Sequence, residues 1–201
     1  PSFKVSGNAL AVRANLKTLN RFAQQNLIRY AEPLASIAYM YGFDYPDAFM
    51  EEAWHYLLLA HSHDAINGVT LDKTANDTVY KLQPVDELAQ VITDMSATKL
   101  LHNINVSSFN QDDMLLVAFN LTNQDSTFVT NVQIDMPEEC YTQWLDIIDS
   151  DGNMCKIQPL SSKHMASPVN VQNSRALPFY CDRYDMYFQT GIIPAMGYKI
   201  F

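Results

Sequence analysis

The chain has 201 residues, enough for one large domain or two small ones, each with its own core. A hydrophobic content of 48% and a charged content of 17% describe a globular chain and exclude a disordered one. The net charge of −9 argues against nucleic acid and anionic membrane as partners, and no apolar run is long enough to span a bilayer.

Residues 1–7 read as an extended lead-in with no secretory signal at Pro1. Residues 8–42 then read as a long helix. Leu10, Leu16, Leu19, Phe22, Ala23, Leu27 and Ile28 recur near a helical period, Asn8 is a candidate N-cap, and Gly42 is a C-terminal stop. Pro33 removes a backbone donor and should kink or split this helix near Ala31-Glu32. Asp44-Tyr45-Pro46 is a turn into the next helix, with Asp47, Glu51 and Glu52 near its positive end. These acids read as dipole-complementing surface groups and not as a catalytic pair.

That helix contains Ala53, Trp54, Tyr56, Leu57, Leu58, Leu59 and Ala60, apolar on nearly every face, and so is expected to be buried. It runs directly into His61, Ser62, His63 and Asp64, polar groups that are costly inside a protein unless paired. On a regular helix His61 and His63 would point about 200° apart, so both cannot line one pocket. One is a candidate ligand or catalytic group and the other a hydrogen-bonded core residue. Asp64 could orient a ligand or hold a hydroxyl. Asn67-Gly68 breaks the chain immediately afterwards.

A third helix is expected from about Thr70 to Leu82, and Pro84 should open another, lined by Val85, Leu88, Val91, Ile92, Met95, Leu100 and Leu101. Residues 1–103 thus read as a helical bundle, essentially of three main helices, and 104–113 as a polar linker. Residues 114–201 read as β-rich, with candidate strands Leu115–Phe119, Phe128–Ile134, Trp144–Ile148 and Tyr184–Phe188. Asp151-Gly152 signals a hairpin, and Pro159 to Ser174 a long loop. The fold class is α+β: a three-helix bundle followed by an antiparallel β-sandwich-like domain.

The remaining polar groups are bland. His164 is expected to be solvated in the long loop, His102 lies near a helix C-terminus, and His55 is a core or surface residue. Asp182 and Asp185 flank Arg183 as a local ion pair of little worth. Cysteines 140, 155 and 181 form no CxxC, which favours reduced thiols and a cytoplasmic setting. Asn-x-Ser/Thr triplets at Asn76, Asn105 and Asn120 are given no role.

His63-Asp64-Ala65-Ile66-x-Gly68, preceded by the Trp- and Leu-rich helix, resembles the His-Asp-x-Ile-x-Gly signature of the α-mannosidases of glycoside hydrolase family 38. Arg13-x-x-Leu16-Lys17-x-x-Asn20-Arg21, Ala31-Glu32-Pro33-Leu34-Ala35 and Tyr45-Pro46 resemble family segments in the same order. So do Leu115–Asn120, as the first strand after the helices, and Pro194-Ala195-Met196-Gly197-Tyr198. The His-Asp signature is the specific element; the others persuade only through their order.

The resemblance implies a zinc-dependent retaining α-mannosidase acting on an α-mannoside or oligosaccharide. It implies that His63 is a zinc ligand and that Asp64 contacts the sugar. The family's further ligands, a His-x-Asp pair and an Asp that is also the nucleophile, belong to an N-terminal catalytic domain. No His-x-Asp precedes residue 61 here. The chain is therefore expected to be an internal piece of a longer enzyme, with no catalytic residue of its own, inactive and without zinc in isolation. The competing reading is a non-catalytic structural or carbohydrate-binding module in which His61, His63 and Asp64 are satisfied core groups. An exposed apolar patch around Trp54 and Ile66 would mark a severed domain interface and separate the two.

Overall fold

In a computed structural model, residues 9, 11–138, 142–166 and 180–201 are described. The lead-in, the Asn8 cap, Leu10, Cys140 and the 167–174 part of the expected loop lie outside them. The fold is α+β, helices first and antiparallel strands second, as the residue patterns predict. The chain divides into two compact units, Pro1–Phe109 and Asn110–Phe201.

The first unit is built from α1 (Ala14–Gln25), a π-helical segment (Asn26–Ala31), α2 (Glu32–Met40), α3 (Asp47–Ala60), the short α4 (His63–Asn67) and α5 (Asp72–Leu101). Its core repeats at spacings of three, four and seven. Leu16, Ala23, Leu27, Ala31 and Ala35 come from the first helical run, Met50, Ala53, Leu57 and Ala60 from α3, and Leu82, Val85, Ala89 and Ile92 from α5. Steps of four drift around a regular α-helix, and the wider π turn takes up that drift, keeping Ala23, Leu27, Ala31 and Ala35 on one buried line. The alanines in this core let the helix axes approach closely.

The first run changes at Ala31-Glu32 as expected, with the π segment ending at Ala31 and α2 beginning at Glu32; the backbone stays helical across the boundary, and Pro33 is the second residue of α2. Two expectations need correction here. The helix expected from Thr70 and the one expected at Pro84 are a single helix, α5, with Pro84 inside it. Leu82 and Val85, on either side of the proline, are fully buried, so packing carries the helix across the lost hydrogen bond. Finally, α3 buries only one stripe. Leu58 is 63% exposed and Leu59 44%.

Among the described residues the second unit holds two antiparallel sheets. β1 (Val117–Asn120) pairs with β5 (Gly197–Ile200), and β2 (Ser126–Pro137) and β3 (Ile157–Ala166) flank the central β4 (Cys181–Ile193). Tyr184, Met186 and Phe188 alternate inward along β4 and pack with Ile147 and Phe201. Val132 and Ile134 stand opposite Met186 and Tyr184 on the same face. The Tyr184 hydroxyl donates to the Thr142 carbonyl at 2.7 Å and accepts from its N–H at 3.0 Å.

Pro159 to Ala166, expected as loop, belong to the edge strand β3. Trp144–Ile148, expected as a strand, is irregular apart from one bridge between Ile148 and Met154, which closes the turn at Asp151-Gly152. His164 is not loose in a loop: it lies on β3, with Nδ1 2.5 Å from the fully buried Asp182. Arg183 forms a bidentate pair with Asp135 on the neighbouring strand, at 2.7 and 2.8 Å, while Asp185 accepts from Ser161.

Candidate functional site

The His-Asp end is a break between two helices. α3 closes at Ala60, and the His61 N–H still donates to the Leu57 carbonyl at 3.1 Å. Ser62 then turns extended, with φ −56° and ψ 136°, and its carbonyl accepts the first bonds of α4 from Ala65 and Ile66. Gly68 stops α4 in the left-handed region at φ +75°. The helix is thus irregular at Ser62, and the 200° separation expected of His61 and His63 gives way to two unlike environments.

His61 is half-buried and its Nε2–H donates to Asn20 Oδ1 at 2.6 Å. Burial pushes its pKa below the usual imidazole value. His63 is 85% exposed. Its Nδ1 lies 2.7 Å from Asp64 Oδ1, so the carboxylate fixes the tautomer with the proton on Nδ1. That leaves the Nε2 lone pair without a hydrogen bond among the described residues, and leaves Asp64 Oδ2 as a second acceptor at an open surface. In chemistry this suits a metal ligand braced by a carboxylate. Among the described residues no group of three or more His, Cys, Asp or Glu gathers where it could hold a metal ion. Trp54 and Ile66 are half-buried; the exposed apolar side chains nearest in the chain are Leu58, Leu59, Val69 and Leu71.

Behind the break stand the N-cap residue Arg13 and the first two turns of α1. Arg13 Nε donates to the Gly68 carbonyl at 3.0 Å, and its terminal nitrogens donate to the Thr70 carbonyl at 2.8 Å and to Asp72 at 3.0 Å. Lys17 Nζ donates to the Asn67 carbonyl at 3.1 Å and to the Val12 carbonyl at 2.5 Å. With Asn20 on His61, three residues at i, i+4 and i+7 grip the whole turn. The sequence contains this signal in the spacing of Arg13, Lys17 and Asn20, but nothing local says that their partners lie some fifty residues onward.

Residues 8–100 match the family model described as the alpha mannosidase middle domain. No curated protein matches the sequence. Among solved structures, the chain is similar to an alpha-mannosidase from Enterococcus faecalis V583, with 22% identity and a TM-score of 0.71 over 94% of this chain and 23% of that one. It is also similar to a glycosyl hydrolase family 38 protein from Enterococcus faecalis, with 23% identity and a TM-score of 0.70 over 94% of this chain and 24% of that one. The chain therefore spans about a quarter of the length of these structures and shares the fold of that part. Residues 8–100, just under half of the chain, carry the likeness to the alpha mannosidase middle domain.

Proposed function

We propose that this chain is the middle section of a zinc-dependent, retaining α-mannosidase of glycoside hydrolase family 38, acting on an α-mannoside or oligosaccharide. The observation that carries the reading is the braced, exposed His63-Asp64 pair at the end of a domain of the α-mannosidase middle type. His63 contributes Nε2 to zinc, and Asp64 both holds Nδ1–H and offers Oδ2 to a sugar hydroxyl. Zinc, when bound, acts as a Lewis acid that holds the sugar's hydroxyls. The nucleophile, the acid/base and the other ligands belong to an N-terminal catalytic domain, so the 201 residues alone hydrolyse nothing and hold zinc poorly. The unpaired thiols of Cys155 and Cys181 favour a cytoplasmic setting.

The test is the full-length reading frame with and without His63→Ala. Zinc content and α-mannosidase activity should both fall in the variant. If both persist, the His-Asp end is structural and the non-catalytic module reading takes over. Mannoside hydrolysis by the purified 201 residues would also overturn the division of labour proposed here.

A further inference from the structure

We propose that Arg13, Lys17 and Asn20 are positioning residues that set the His63-Asp64 turn from behind. The proposal rests on the mannosidase reading for the meaning of that turn, and on geometry for the clamp itself. α4 has five residues, too few to hold a helical shape by its own hydrogen bonds. The carbonyls of Asn67, Gly68 and Thr70 at its exit are bound instead by two cationic side chains, and cations at a helix C-terminal end are favourable. Entry to the turn is fixed by Asn20 on His61, two residues before His63. The turn is thereby held at both ends by the N-cap residue and the first two turns of α1.

Two further observations show that the contact is close and specific. Arg13 adopts the left-handed conformation at φ +50°, which is uncommon for a residue with a side chain. A Cβ on Gly68 would stand 3.3 Å from both the Arg13 Cβ and the Val12 carbonyl, so the two segments meet closely at a glycine in the left-handed region. Lys17 bonds Val12 and Asn67 at once, tying the chain's entry into α1 to the exit of α4. None of these contacts is with the apolar core. Leu16, a neighbour of Arg13 and Asn20 at three- and four-residue spacing, carries that task with its own buried side chain. Loss of the clamp should loosen the turn and leave the bundle folded.

The experiment uses the full-length enzyme, comparing wild type, Lys17→Met, Lys17→Arg, Arg13→Lys and His63→Ala. Lys17→Met keeps the aliphatic stem and removes the donors. It should raise amide exchange of residues 63–69 by about tenfold or more, with α3 and α5 amides unchanged. kcat on an aryl α-mannoside should fall by roughly ten- to a hundredfold well below the thermal midpoint. Lys17→Arg should restore much of both. Arg13→Lys keeps the charge but loses the fork, and should give an intermediate loss even if Lys17→Met fails to fold. Unchanged exchange at 63–69, or raised exchange with kcat intact, would overturn the positioning role. If His63→Ala itself keeps full activity, it is the mannosidase reading that fails, and the exchange data still decide the clamp.

Discussion

Gly68 and Arg13 occupy adjacent left-handed positions, φ +75° and +50°, on segments 55 residues apart, with the Arg13 Nε–H donating to the Gly68 carbonyl at 3.0 Å. Gly68→Ala should therefore be penalised twice. An L-residue in this region costs about 1–2 kcal/mol. The new Cβ also crowds Arg13 and Val12 at 3.3 Å, with backbone on one side and unable to yield cheaply. Urea unfolding should show a loss of about 2 kcal/mol. A loss no larger than that of a surface substitution would mean that the two segments are less tightly apposed than this contact requires.

Asn120 is fully buried and spends its whole hydrogen-bonding capacity inside the second unit. Nδ2 donates to the Gln124 carbonyl at 2.8 Å and the Ile193 carbonyl at 3.0 Å, while Oδ1 accepts from the Thr122 N–H and hydroxyl. Asn120→Ala should cost about 2 kcal/mol, because the buried Ile193 carbonyl loses its partner. The same geometry closes the Asn120-Leu121-Thr122 triplet to a glycan, since both amide hydrogens are engaged. Denaturant midpoints for the variant check the first statement, and a mass measurement of folded protein from a secreting host checks the second. An attached sugar at Asn120 in native protein would contradict the site as described.

Much of the first unit is legible in the sequence because its core repeats at three and four residues, and Leu82, Val85, Ala89 and Ile92 say helix whatever stands between them. Pro84 misleads because the proline rule is local, whereas burial on either side of it is tertiary. β3 is invisible for the opposite reason. It is exposed along nearly its whole length, so no alternation marks it, and its only claim to be a strand is its ladder with β4. Trp144–Ile148 carries the apolar residues of a strand because Leu145 and Ile147 pack into the core without a ladder. At the candidate site, the His-Asp motif is recognisable by its resemblance. The grip of Arg13, Lys17 and Asn20 shows in the sequence only as their spacing, because their partners on the turn lie distant in the chain.

Pro84 lies well inside α5 and lacks the N–H that would bond the carbonyl of Tyr80. Pro84→Ala restores that donor in a helix already fixed by its neighbours. Proline is about 3 kcal/mol worse than alanine inside a helix, and part of this is offset by the freedom alanine returns to the unfolded chain. The variant should be more stable by about 1 kcal/mol in thermal or urea unfolding. A destabilised variant would show that α5 needs the proline's shape to keep Leu82 and Val85 in the core.

Lys199 and Asp149 form an acid-sensitive pair in the second unit. Lys199 Nζ donates to Asp149 Oδ2 at 2.8 Å, and the N–H groups of Asp151 and Asn153 donate to Oδ1. The Lys199 hydrogen bond first, and then these backbone bonds, pull the Asp149 pKa down to about 2. A carboxyl whose folded pKa lies below its unfolded value stabilises the fold when ionised. The contribution is therefore complete above about pH 4, near the unfolded value, and is lost as the pH falls toward about 2. Asp149→Asn cannot titrate, so its stability should fall less steeply across that window, while at neutral pH it should be less stable than the parent. Near-UV circular dichroism followed through an acid titration of both proteins reads the difference. Parallel acid limbs would mean that Asp149 titrates alike in the folded and unfolded states, and the Lys199 pair would then hold no proton-linked stability.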